Sequence, residues 1–96
     1  MYAAIRQVKA KAGMADELAS RVKDAIPIIS GVDGFMGYYV IYAPDDTVTA
    51  ISIFNNVASA VESNRLALAF IEKNLGPLLV GAATATAGPV IVHSLP

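Results

Sequence analysis

Asn64 is the residue whose type and setting point most directly to chemistry, because it interrupts an apolar helical stripe made of Val57, Val61, Leu68, Ile71 and Leu75, flanked by Ala60 and Ala67. A carboxamide in such a place finds hydrogen-bond partners or costs about 1–3 kcal/mol as a buried unsatisfied group. It either fixes packing against sheet or loop backbone, or turns toward a ligand. Arg6 has the planar cation that receives an anionic substrate or stabilises an enolate; its plainer role is an ion pair with a helix or partner-chain carboxylate. His93, the one histidine, is a candidate general base near neutral pH, although a lone histidine near a carboxyl terminus more often belongs to a surface or interface. Tyr38, Tyr39 and Tyr42 cluster, with packing as their default and a phenol aimed into a pocket as the exception. The catalytic candidates are thus Asn64 and His93, and the substrate-binding candidates Arg6, Tyr38, Tyr39 and Asn64. Glu62 falls on the polar side of its helix, and Asp45 and Asp46 read as turn residues.

Other chemistries lack their residues. The chain has no cysteine, hence no thiolate nucleophile and no Cys-based metal site, and nothing at metal-ligand spacing accompanies His93. No nucleophile triad or phosphate-binding glycine loop is present, since Gly34-Phe-Met-Gly37 leads a strand instead of opening a helix. Neither cofactor nor metal is expected. A net charge of −1, with seven scattered Lys and Arg, offers no basic stripe for nucleic acid. The most apolar stretch, Leu75 to Val92, is broken by Gly76, Pro77, Gly81, Gly88 and Pro89, which argues against a membrane span. The opening run reads as a strand rather than an export signal, so the expected location is the cytoplasm.

The elements that must position these groups begin with a strand over Tyr2–Lys9 and a connection to Gly13. From Met14 the period becomes helical, placing Met14, Leu18, Val22, Ala25 and Ile29 on one stripe. Glu17 and Arg21 form an i,i+4 pair, and Pro27 stops or kinks the helix. Gly34 to Phe54 reads as an antiparallel hairpin split at Pro44-Asp45-Asp46. Alternation puts Phe35, Gly37, Tyr39 and Ile41 on one face, and a two- or four-residue loop would add Val48, Ala50, Ser52 and Phe54 to them. Both faces are apolar, so each needs a cover. A second helix, capped by Asn55 or Asn56, runs to about Leu75, with Leu66 and Phe70 on nearly its reverse side. A short turn and a small-residue linker lead to a last strand over Val90–Ser94, opened by Pro89.

The order β-α-β-β-α-β predicts an α+β ferredoxin-like sandwich in one domain, residues 1–96: a four-stranded antiparallel sheet with helices on one face. The opposite apolar face exceeds what a soluble monomer usually exposes, and at 55% hydrophobic and 16% charged residues the chain favours covering it with a second copy. The expected partner is the chain itself, as a homodimer through the sheet face.

The Ile5-Arg6 strand, Pro27-Ile-Ile-Ser-Gly running into Gly34-Phe35, Tyr38-Tyr39, Ile51-Ser-Ile-Phe54, Glu62-Ser63-Asn64 and the final Gly-Pro-Val-Ile-Val-His resemble the dimeric α/β-barrel superfamily, and within it the antibiotic biosynthesis monooxygenase-like domains. The resemblance spans nearly the whole chain and implies two sheets packed face to face as a barrel. It also implies either a cofactor-independent monooxygenase of a small aromatic or polyketide-like substrate, or a non-catalytic dimeric ligand-binding or structural module. In such monooxygenases Asn, Tyr, Arg and Trp orient the substrate and stabilise its anion; here the first three types are present without Trp. Haem-degrading relatives use an axial histidine on the helical side and a tryptophan on the second helix. This chain has Ser63 or Asn64 at that helix position and its histidine elsewhere, which disfavours haem. A solvent-reaching cavity of ~300 Å³ containing Asn64 would favour the enzyme, and a filled core the module.

Overall fold

The computed structural model describes residues 1–96. Strand β1 (Tyr2–Ala10) leads to helix α1 (Ala15–Val22), a 3₁₀ turn over Lys23–Ala25 and the short helix α2 (Ile26–Ser30). The hairpin β2 (Phe35–Tyr42) and β3 (Thr47–Phe54) follows, then helix α3 (Val57–Asn74), a 3₁₀ turn over Gly76–Leu78 and strand β4 (Leu79–Pro89). The sheet order is β2-β3-β1-β4, antiparallel throughout, with the helices on one face: a ferredoxin-like sandwich.

The local signals behave as their chemistry requires. Asp16 and Glu17 lie in the first turn of α1, and Glu17 pairs with Arg21 at 2.9 Å. Pro27 does not end the helical layer. It occupies the first turn of α2, where its missing N–H is no loss, and helix continues to Ser30. Asn56 caps α3 by accepting from the Ser59 amide at 2.8 Å. Gly34, at φ 82°, could not bear a side chain, since a Cβ there would meet Asn55 Oδ1 at 2.2 Å.

Three expectations need correction. The hairpin loop is neither two nor four residues long: Ala43 and Thr47 are bonded to each other, Asp46 has φ 66°, and the register runs Tyr42 opposite Val48 and Tyr38 opposite Ser52. An odd loop with an αL residue shifts the pairing by one and exchanges the faces of β2. Tyr38, Val40 and Tyr42, rather than Gly37, Tyr39 and Ile41, therefore join Val48, Ala50 and Ser52. A bulge between Phe35 and Gly37 keeps Phe35 against Phe54, the rings 5.9 Å apart edge to face.

The last strand is Leu79–Pro89, and Val90–Ser94 is not a strand. The predicted linker carries the Ala-Thr alternation of a paired strand, bulged opposite Val8 near Gly81. The β-branched tail beyond it finds no neighbour in the chain, although Val90 N still donates to Met1 O. Finally, α3 is turned toward one flank of the expected stripe: Asn64 and the flanking Ala60 and Ala67 are buried together with Ser63, whereas Val57 and Val61 are half exposed. Small side chains on the buried face let α3 sit close to the sheet.

One cluster packs Ala4, Ile29, Phe54, Ala60 and Ala67; the other packs Val8, Ala10, Leu18, Val48 and Leu75, with Phe70 and Ile71 against it. Phe70 thus finds its cover in the core.

Candidate functional site

Between the two clusters β1 places Arg6, which is 1% exposed and the bulkiest fully buried side chain of the protein. Alternation along β1 aims it, with Ala4 and Val8, at the helices. Its Nη1 donates to Ser52 Oγ at 2.8 Å and makes longer contacts with Ala4 O at 3.4 Å and Asn64 Oδ1 at 3.5 Å. Asn64 is held in turn, its Nδ2 donating to Thr86 O at 2.9 Å. The carboxamide thus joins α3 to β4 and presents its oxygen to the guanidinium. The guanidinium also lies 5.9 Å from the centre of the Tyr38 ring.

No carboxylate completes this cluster. The ion pairs of the chain are Glu17–Arg21 and Glu62–Arg65, both on helix surfaces, while Arg6 Nε and Nη2 are buried without an acceptor. Burial lowers the pKa of Arg6, with Tyr38 acting in the opposite sense. Burial likewise pushes the Tyr38 phenol up, partly offset by the Arg6 charge. Unpaired charge in an apolar interior is costly, so the arrangement opposes the stability of the chain.

Beside Arg6 lies a void of about 40 Å³ whose walls include Tyr38, Ala50, Ala67 and Phe70. It shares Leu18, Val22, Tyr38, Val40 and Val48 with a larger cavity of about 260 Å³ between α1 and the sheet, with Lys23 and Ile26 at its edge. The two form a mostly apolar slot with Arg6 at its inner end and Lys23 at its outer edge. Tyr42 lines the outer cavity, and its phenol, bonded to the Asp46 carboxylate, is pushed up by that bond.

The structure brings Arg6, Tyr38 and Asn64 together, with Ser52, which the sequence did not single out. Asn64 touches Arg6 but lines neither cavity, so the ~300 Å³ space around it that would mark an enzyme is not what is found. Tyr39 is on the opposite face of the sheet, 62% exposed, and His93 is exposed in the tail beyond β4. Neither joins the cluster. Ser52 was detectable as the one hydroxyl on a β3 face otherwise made of Val48, Ala50 and Phe54.

The fold is shared with solved structures over almost the entire chain. A protein of unknown function from Nitrosomonas europaea, NE2512, is 20% identical, with a TM-score of 0.78 over 99% of this chain and 93% of that one. A Bordetella bronchiseptica protein provisionally described as an antibiotic biosynthesis monooxygenase is 15% identical, with a TM-score of 0.74 over 95% and 97%. The chain has the fold of these two structures. A variant of MhuD with two manganese protoporphyrin IX molecules per active site has the same fold, at 16% identity and a TM-score of 0.77 over the whole of both chains. No protein-family model and no curated protein matches the sequence.

Within this fold, the residues of the present slot do not suit a porphyrin. His93 lines neither cavity, Ser63 and Asn64 are tied by hydrogen bonds to Ala60 O and Thr86 O, and about 260 Å³ is small for a macrocycle. No three His, Cys, Asp or Glu side chains gather to hold a metal ion. No helix is long and apolar enough to cross a membrane.

Proposed function

We propose that this chain is a homodimeric, cofactor-independent monooxygenase that takes a small aromatic or polyketide-like substrate into the slot between α1 and the sheet. The observation that carries the reading is the apolar slot ending on a buried cation without a counter-ion. An electron-rich aromatic fills the apolar part, and Arg6 receives its anionic group, held in place by Ser52 and Asn64. Oxygen then reacts with the electron-rich carbon of the substrate itself. In the simplest balance a ring CH₂ and O₂ give a ring C=O and water, the substrate supplying every electron.

The dimer follows from the other side of the sheet. Ala3, Ile5, Ile51, Ile53, Tyr39 and Ile41 face away from the helices, with Tyr39 62% and Ile41 53% exposed. A second copy turned about a two-fold axis covers this surface with its own equivalent and closes a barrel.

Two observations favour the alternative of a ligand-binding module: Asn64 lines neither cavity, and the slot has no carboxylate or imidazole in its walls to take a proton. Oxygen uptake with an anthrone bearing phenolic and carboxyl groups separates the two. The enzyme reading predicts one O₂ consumed per anthrone at least tenfold faster than without protein, and loss of that excess in Val40→Trp, which blocks the slot. Binding of the anthrone with no excess uptake would leave the module as the function.

A further inference from the structure

The two unpartnered nitrogens of Arg6 are not an arbitrary pair. A guanidinium presents parallel N–H bonds along an edge, and Nε with Nη2 forms the side edge. The remaining nitrogen, Nη1, is the one engaged by Ser52, Asn64 and Ala4. The protein thus fixes one corner of the cation and leaves Nε and Nη2 buried without a hydrogen-bond partner, closed over by their neighbours, so that a ligand reaches this fork by displacing the Tyr38 side chain packed beside the guanidinium. A single phenolate or enolate oxygen satisfies one N–H of such a fork well; two oxygens on one carbon satisfy both.

The lining narrows the choice. The void of about 40 Å³ beside Arg6 is the narrow end of the slot, walled by apolar side chains and the Tyr38 ring. Arg6 is the one cation in that void, which balances a single negative charge. From there the space opens between Leu18, Val22, Tyr38, Val40 and Val48 into the outer cavity. We infer that the ligand of this pocket is a small monocarboxylate with an apolar, ring-sized body, its carboxylate seated on the Nε/Nη2 fork of Arg6. This assignment rests on the reading of the slot as a ligand site and names the class of molecule it takes. Arg6 then acts as an anchor, and the reacting carbon lies in the outer cavity near Tyr38 and Tyr42.

The test is a titration with benzoate, benzamide and phenol, which have similar bodies and differ in the head group. Affinity is read from amide shifts at Leu18 and Val22, and the fork from the ¹⁵N–¹H signal of Arg6 Nε. The assignment predicts benzoate at least tenfold tighter than the other two, a shifted Nε–H signal, and loss of the preference in Arg6→Met. Should that variant not fold, the Nε–H signal of the unmodified protein decides. Equal affinity for benzamide, or benzoate bound with Nε–H unmoved, would overturn the carboxylate assignment while leaving the pocket intact. Failure of all three to shift Leu18 and Val22 would remove both.

Discussion

Arg6 and Tyr38 share a setting that penalises charge on either of them, yet one must be charged at neutral pH. For Tyr38 the sign is direct. Its folded pKa lies above the unfolded value of about 10, so its contribution to stability is intact below that pH. As pH rises through the unfolded value the unfolded chain gives up its proton first, and the contribution drains away until the folded pKa is passed. Tyr38→Phe has no such group. Urea unfolding at pH 9 and pH 11 is expected to show a smaller loss of stability for Tyr38→Phe than for the unmodified chain, and an equal loss would place the phenol in solvent. Arg6 and Asn64 were legible in the sequence as polar residues on apolar runs. What could not be read was that no carboxylate reaches Arg6, because Glu17 and Glu62 find partners one helical turn away on their own helices. Tyr38 and Tyr39 were inseparable for a different reason: a shift of one residue in the hairpin decides which of them meets the cation.

Among the elements, α3 and β4 explain each other. Ala60, Ser63 and Ala67 on the buried face bring the helix backbone near the sheet, and Ala83, Thr84, Ala85, Thr86 and Ala87 make a strand slim enough to lie beneath it. A reading that weights β-branched and aromatic residues passes over such a strand and prefers Val90–Ser94, whose composition is stronger but which has nothing to pair with. The same bias put Val57 and Val61 in the helix stripe. Hydrophobic bulk misled over the first turns because the close approach requires small residues there, while Ile71 and Leu75 of the same stripe do pack into the core. Accordingly, Ala60→Leu should destabilise the fold by about 1–3 kcal/mol through overpacking, whereas Val61→Ser should fall within about 0.5 kcal/mol of the unmodified chain. Thermal unfolding of the two variants checks this; a larger cost at Val61 would put α3 back in the orientation its bulky residues suggested.

For the molecule as a whole, the order of strands and helices was written in the periodicity of the chain, since the helical stretches, the hairpin and the first strand stand where their patterns put them. A sheet with helices on one side alone leaves Ile5, Ile51 and Ile53 on the other, half-buried within the monomer and flanked by the exposed Tyr39 and Ile41. Only 16 of the 96 residues are buried in a single chain, a thin core for a protein of this size. Doubling it through the bare face is the assembly proposed above, and it leaves the slot on the helical side of each sheet. Sedimentation equilibrium at micromolar concentration tests this most directly. The account predicts a particle of twice the 10.0 kDa chain mass, reduced to one chain by Ile51→Asp with the fold retained; a well-folded single chain from the unmodified sequence would contradict it.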